Sequence, residues 1–225
     1  MTQEQQKQEQ QVSNTPATIM LVDDHPLFRK GLQQLIEMED DLAVISQYSN
    51  GTDAISGALE DDPDLIILDL NMQGIDGLET VKQMRLQGVT ARIIMLTVSD
   101  NDEDVIAAIT NGADGYLLKD MEPEDIVVNI KQAVTGRMAI SERLTETLAT
   151  ALRRPNKKSE NPLDGLTSRE LEILKLIAKG MSNKLIAREL DISDGTVKVH
   201  VKHVLKKLSF RSRVEAAVWM VDQNS

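Results

Sequence analysis

Apolar positions change their period part-way along the chain. Short runs rich in Ile, Val and Leu occur at 18–22, 42–46, 64–69, 91–98 and 115–118, with stretches of helical period between them. The stretch 26–38 repeats apolar residues at Leu27, Phe28, Leu32, Leu35 and Ile36. The stretch 123–134 opens with Pro123, Glu124 and Asp125, the residue types that suit a helix N-terminus. Continuous apolar strands alternating with helices predict a doubly wound, five-stranded parallel sheet covered on both faces. Residues 141–153 read as one more amphipathic helix, with Leu144, Leu148 and Leu152 in a stripe. Residues 154–162 are polar and carry Pro155 and Pro162, which makes them a linker.

Beyond the linker every pattern is helical. Helices are predicted over 167–179 (Leu171, Leu174, Ile177 and Ala178 on one face), 183–190, 194–208 and 213–221. The third buries Val197, Val201, Val204, Leu205 and Leu208, and the last carries Val214, Ala217, Val218 and Val221. Thr167 with Glu170 and Ser212 with Glu215 have capping-box spacing, while Ser182 and Ser193 stand as N-caps. The expected fold class is α/β plus all-α. The expected division is a disordered tail over 1–16, a sheet domain over 17–136, a connecting helix and linker over 137–162, and a four-helix domain over 163–225.

Composition narrows the function. The 225 residues include no cysteine, which removes disulfides and thiolate metal sites and suits a reducing cytosol. No apolar run approaches the ~20 residues needed to cross a membrane. A cytoplasmic protein is expected. The net charge of −11 argues against a nucleic-acid binder until it is divided. Residues 1–154 carry 12 basic and 27 acidic side chains, a net of −15, whereas residues 155–225 carry 13 and 9, a net of +4. Between Thr196 and Arg213 lie six basic residues and no acid. The second part can therefore attract a polyanion that the first would repel.

Candidate chemistry falls at the strand ends, where open parallel sheets hold ligands. Asp23 and Asp24 follow the first strand, Asp69 ends the third, Thr97 lies near the end of the fourth, and Lys119 follows the fifth. Three carboxylates in one place favour a cation, and hard oxygen donors favour Mg²⁺. A carboxylate beside such an ion can attack phosphorus, with Lys119 neutralising the transferring group and the Thr97 hydroxyl meeting a phosphate oxygen. His25, between the acid pair and Pro26, reads as a solvated loop histidine.

Asp23-Asp24, Asp69 within Leu68-Asp-Leu-Asn-Met, the Gly74 and Gly77 turn, Leu96-Thr-Val and Gly112-Ala-Asp-Gly-Tyr-Leu-Leu-Lys119 resemble the flavodoxin-like receiver domains of two-component systems. The resemblance implies that Asp23, Asp24, Asp69 and the backbone carbonyl of Asn71 hold Mg²⁺. It implies that Asp69 accepts a phosphoryl group from a sensor histidine kinase, and that Thr97 and Tyr116 report it. Asn71 and Ser99 would tune the phosphoryl lifetime. Gln73 stands where the family usually has proline, as does Asp120.

In the basic part, two short helices joined by the turn Asp191-Ile-Ser form a helix-turn-helix, whose second helix enters the major groove. Opposite its buried stripe stand Lys198, Val199, Lys202 and Lys206. Lysine donates to guanine O6 and N7, and an exposed valine meets a thymine methyl. Lys184, Thr196, His200, Lys207, Arg211 and Arg213 are expected to meet phosphates. Leu166-Thr-Ser-Arg-Glu-Leu-Glu-Ile-Leu, Gly180-Met-Ser-Asn-Lys-Leu-Ile-Ala and Ile192-Ser-Asp-Gly-Thr-Val-Lys-Val-His-Val resemble the NarL/LuxR (FixJ) type of DNA-binding domain. Lys119-Asp-Met-Glu-Pro-Glu-Asp and Arg211-Ser-Arg-Val-Glu-Ala-Ala-Val-Trp219 narrow the resemblance to nitrate/nitrite response regulators. The resemblance implies a regulator rather than an enzyme, forming a homodimer on promoter DNA when phosphorylated, with RNA polymerase a further partner. The rival readings are a Mg²⁺-dependent phosphatase and a DNA binder that works without phosphate.

Overall fold

The computed structural model describes residues 15–136 and 162–223. The helix expected over 141–153, nearly all of the linker and most of the N-terminal tail lie outside the described residues. Five strands form one parallel sheet: β1 (Ala17–Val22), β2 (Leu42–Tyr48), β3 (Leu65–Leu68), β4 (Arg92–Thr97) and β5 (Gly115–Leu118). Their order is β2-β1-β3-β4-β5, so the winding reverses between β1 and β3. Five helices cover the sheet: α1 (Pro26–Glu37), α2 (Gly51–Asp61), α3 (Gly77–Leu86), α4 (Asp102–Asn111) and α5 (Pro123–Thr135).

Alternation along the strands divides the core in two. Met20, Ile66, Leu68, Ile93 and Met95 pack with Ala54, Val81, Met84, Val105 and Ala108 of α2–α4. Ile19, Leu21, Leu65, Ile67, Ile94 and Leu96 pack with Leu32, Ile36, Ile126 and Ile130 of α1 and α5. Both faces being covered, β3 and β4 are wholly buried, which is why they read as unbroken apolar runs. Side chains of Asn50, Asp76 and Asn101 cap α2, α3 and α4 by accepting from Asp53, Glu79 and Glu103 N–H groups. Leu27 departs from the expected α1 stripe and is 87% exposed. It precedes Phe28 by one position, and that rotation of about 100° turns it off the buried face.

The remaining helices are α6 (Ser168–Ala178), α7 (Asn183–Leu190), α8 (Asp194–Lys207) and α9 (Arg213–Gln223), after a 3₁₀ turn at Pro162–Gly165. Ser182 and Ser193 cap α7 and α8, and Asp191 makes the turn between them with a left-handed φ of 51°. Val197, Val201, Val204 and Leu205 of α8 enter the third core as their spacing predicts. In α6, Ile173 and Leu176 join Leu174 and Ile177 in that core, and Leu171 is only half-buried. In α9, Ala216 and Met220 are buried with Val214, whereas Val221 is 55% exposed. The α9 stripe therefore centres on Ala216 and Met220, with Ala217 packed against the same core and Val221 outside it.

The capping box at Thr167 is complete. At Ser212 the hydroxyl accepts from Glu215 N–H at 3.2 Å, and the Glu215 carboxylate accepts from Arg211 N–H at 2.7 Å. Glu170, only 3% exposed, accepts from Thr167 N–H at 2.8 Å and lies 2.6 Å from Lys207 Nζ. Lys207 foremost, then Thr167, pulls its carboxyl from 4.5 down to about 2. A depressed folded pKa gives stability that is present above the ordinary value and lost as pH falls through the folded one. Glu170→Gln is therefore expected to cost about 1 kcal/mol at neutral pH by removing the charge that Lys207 meets. In urea unfolding, the gap between variant and parent should narrow between pH 4.5 and about 2; a gap constant with pH would contradict this role for Glu170.

Candidate phosphoryl site and DNA-reading face

Parallel pairing decides which strand ends adjoin. Val22 lies opposite Leu68, and Asp69 N–H donates to the Val22 carbonyl at 2.8 Å, so Asp23 and Asp69 leave neighbouring strands together. Thr97 lies opposite Leu118, and Lys119 N–H donates to the Thr97 carbonyl at 2.8 Å. From there the lysine side chain reaches across the sheet edge. Its Nζ is 2.8 Å from Asp23 Oδ2 and 2.8 Å from Asp69 Oδ2, and 4.7 Å from the centre of the Phe28 ring. Asp23 and Asp69 are buried. Burial first, and the Asp23 charge with it, raises the Asp69 carboxyl above its usual range, while Lys119 and Asn71 N–H oppose that rise.

Asp23, Asp24, Asp69 and His25 offer ligand atoms within 4.8 Å of one another. His25 is thus drawn in further than a solvated loop histidine: its Nδ1 is 2.9 Å from Asp24 Oδ1, although the ring is largely exposed. Asp24 is not a helix cap. Its Oδ2 accepts from Gln73 N–H at 3.1 Å, a bond that the proline usual at that place could not donate. Arg29 donates to the Asp23 carbonyl from the second turn of α1. Neither bond has a signal in the sequence, since both join segments through the folded loop.

Thr97 is fully buried, and its hydroxyl accepts from Ser99 N–H at 3.2 Å. The Tyr116 hydroxyl donates to the Ser99 carbonyl at 2.9 Å, and burial raises that phenol above its usual range. Ser99 Oγ in turn lies 2.5 Å from Asp104 in the first turn of α4.

On α8, Lys198, Val199, Lys202 and Lys206 lie away from the buried stripe, and Val199 is 52% exposed. Thr196 is exposed in the first turn, its hydroxyl 2.7 Å from Ser193 Oγ. His200 is half-buried. Lys207 is engaged with Glu170. Arg213 does not reach the surface expected of a phosphate contact: it is buried, donating to Asn183 Oδ1 at 3.2 Å and to the Met181 carbonyl at 2.5 Å.

Residues 19–131 match the response regulator receiver domain, and residues 164–220 match the bacterial regulatory proteins of the luxR family. The chain is 54% identical over 205 residues, 91% of its length and 95% of the relative's, to the nitrate/nitrite response regulator protein NarL of Escherichia coli (strain K12). It is 48% identical over 206 residues, 92% and 97% of the two lengths, to the nitrate/nitrite response regulator protein homolog of Haemophilus influenzae (strain ATCC 51907 / DSM 11121 / KW20 / Rd). A crystal structure of a LuxR-family two-component response regulator from Aurantimonas sp. SI85-9A1 superposes with a TM-score of 0.56 at 32% identity, covering 60% of this chain and 97% of that one. The chain belongs to the NarL/LuxR-type response regulators.

In this response regulator the side of α8 that carries Lys198 and Lys202 lies against the sheet domain, while Val199 and Lys206 stay exposed. Lys198 Nζ lies 2.8 Å from the Asp62 carbonyl and 3.0 Å from its carboxylate. Lys184 Nζ lies 3.0 Å from Asp64 Oδ2 and 2.8 Å from the Pro16 carbonyl. Arg211 donates to the Thr110 carbonyl at 2.8 Å. Gly88 leaves room for Lys202, whose Cε would lie 2.7 Å from a Cβ there. All these partners precede strands or end helices, so they occupy the sheet edge opposite Asp69. The opposed net charges of the two parts suit such docking, which draws on Asp62 and Asp64 of the acidic run at 60–64.

Closest approach is at two glycines: a Cβ on Gly136 would lie 1.4 Å from the Gly180 carbonyl oxygen, and backbone cannot yield to it. Gly136→Ala should therefore separate the two halves. Small-angle scattering is expected to give a larger radius of gyration than for the parent chain; an unchanged value would rule out this contact in solution.

Proposed function

We propose that this chain takes a phosphoryl group on Asp69 from a sensor histidine kinase and then binds promoter DNA through Lys198, Val199 and Lys202. The observation that carries the reading is Lys119 bridging Asp23 and Asp69 at 2.8 Å in a chain where Lys198 of α8 is held at the far edge of the same sheet. The signal is nitrate or nitrite, by likeness to the NarL relative.

Asp23, Asp24 and Asp69, with the Asn71 carbonyl, suit Mg²⁺ because they are hard oxygen donors that Lys119 only partly neutralises. When bound, Mg²⁺ supplies the charge that offsets the phosphoryl oxygens. An Asp69 carboxylate oxygen forms the new bond to phosphorus as the P–N bond of the donor breaks, its electron pair returning to the imidazole. Lys119 opposes the rise that burial gives the Asp69 carboxyl and holds a phosphoryl oxygen afterwards. The Thr97 hydroxyl turns to donate to another.

That turn draws on Ser99, which holds both the Tyr116 hydroxyl and the first turn of α4. Helix α4 has 10 residues, about 15 Å of rigid rod, and its last turn bears the Thr110 carbonyl that Arg211 grips. Movement at the phosphoryl edge thus reaches the docking edge through one helix. Release of α8 frees Lys198 and removes the sheet domain from beside Lys202, and two copies then occupy paired half-sites, where they can meet RNA polymerase.

A gel-shift assay with and without a small phosphodonor tests the reading. Phosphorylation should tighten DNA binding about tenfold or more, equivalent to about 1.4 kcal/mol. Asp69→Ala should take up no label and show no tightening. Label retained on that variant, or equal affinity in both states of the parent, would refute it.

A further inference from the structure

Three buried arginines meet where the two halves join, and among the described residues only Arg85 makes an ion pair with an acid. Arg85 lies 2.6 Å from Asp114 Oδ2 and also donates to the carbonyls of Gly112, Val89 and Ala91. Arg92 begins β4 and donates to the Ala133 carbonyl at 2.7 Å. Arg213 begins α9 and donates only to the Asn183 amide and the Met181 carbonyl. Among the described residues neither Arg92 nor Arg213 forms an ion pair. Yet Arg92 is 7% exposed and Arg213 6%. The Nε of Arg92 is buried with no hydrogen-bond partner.

Both guanidiniums line the same space. A cavity of about 480 Å³ between the halves is walled by Arg92, Asp114, Gly136, Lys179, Gly180 and Arg213, among others. A smaller void of about 20 Å³ adjoins Arg92, Arg213, Asp64 and Lys184. Asp114 Oδ2 takes Arg85 and the Ile93 N–H, while its Oδ1 is buried without a partner; Asp64 takes Thr18 and Lys184. Burial, and then the charge of Arg92, pulls the Arg213 guanidinium down from 12.5 to about 9. Buried charges in folded proteins are ordinarily paired, and a planar guanidinium fork matches an oxyanion's geometry.

We propose that this inter-domain cavity binds a small oxyanion of the phosphate or sulfate class, bridging Arg92 of the sheet domain and Arg213 of the helical domain. The site is distinct from the phosphoryl pocket, because Arg92 and Thr97 lie at opposite ends of β4, about 17 Å apart. Its walls come from both halves, so the anion binds only the docked arrangement and rests on that part of the proposed function. Docking strengthens by the factor 1 + [L]/Kd, about elevenfold at ten times Kd. The anion thereby restrains DNA binding independently of Asp69.

The full-length, unphosphorylated chain is titrated with sodium sulfate by calorimetry, with sodium chloride holding ionic strength constant. The parent should show one saturable site. Arg92→Gln and Arg213→Gln should each weaken it at least tenfold, and Arg92→Lys should weaken it less, keeping the charge without the fork. Saturating sulfate should also depress DNA affinity about tenfold more in the parent than in Arg92→Gln, which retains any direct competition at the α8 lysines. Should either glutamine variant fail to fold, Arg92→Lys and Arg213→Lys carry the comparison. Absence of a saturable site in the parent, or equal sulfate affinity in all variants, overturns the inference. Sulfate binding that is lost in Arg92→Gln while phosphorylation leaves DNA affinity unchanged would sink the occlusion reading and keep the site.

Discussion

Parallel strands point one way, and most of this molecule follows from that constraint. Every C-terminal strand end emerges at one edge, and the reversal between β1 and β3 sets Asp23 beside Asp69 there. Every N-terminal end emerges at the other edge, where Asp64, Arg92 and Asp114 stand at the starts of β3, β4 and β5. Chemistry is confined to the first edge and docking to the second. Neither can act on the other by contact. What joins them is stiff: β4 runs from Arg92 to Thr97, and α4 from Asp102 to Asn111.

The docking is built to be reversible. Lys198 meets Asp62 at a largely exposed carboxylate, and such pairs contribute only about 0–1 kcal/mol. Gly136 and Gly180 bring backbone to backbone, which gives close approach with little apolar burial. Arg92 and Arg213 set like charges across the joint. A switch needs two states within a few kcal/mol of each other, since a modification shifts populations only by its differential stabilisation of the two. A large apolar interface would hold the halves together whatever happened at Asp69.

What could be read from the chain, and what could not, divides along the same line. The five apolar runs locate the strands, and the strands locate Asp23, Asp69, Thr97 and Lys119, because a strand end is a local property. Ser182, Ser193 and Thr167 are legible for the same reason: a cap acts within three residues. Helix faces are less secure. Leu27 and Val221 were expected inside and lie outside, while Ile173 and Leu176 join the core, because partners on other helices choose the buried stripe. Contacts between distant segments left no trace. Gln73 donating to Asp24, Arg213 turning inward, and Asp62 receiving Lys198 are all set by tertiary placement.

The central claim is that docking against the Asp62 region withholds the α8 reading face until phosphorylation releases it. Asp62→Lys removes the carboxylate that Lys198 meets and leaves both the phosphoryl site and the α8 lysines in place. DNA affinity of this variant and of the parent chain is to be measured first without and then with phosphodonor. The account predicts that the unphosphorylated variant binds DNA more tightly than the unphosphorylated parent, and that the two converge once phosphorylated. Equal affinity of variant and parent in the unphosphorylated state would contradict it.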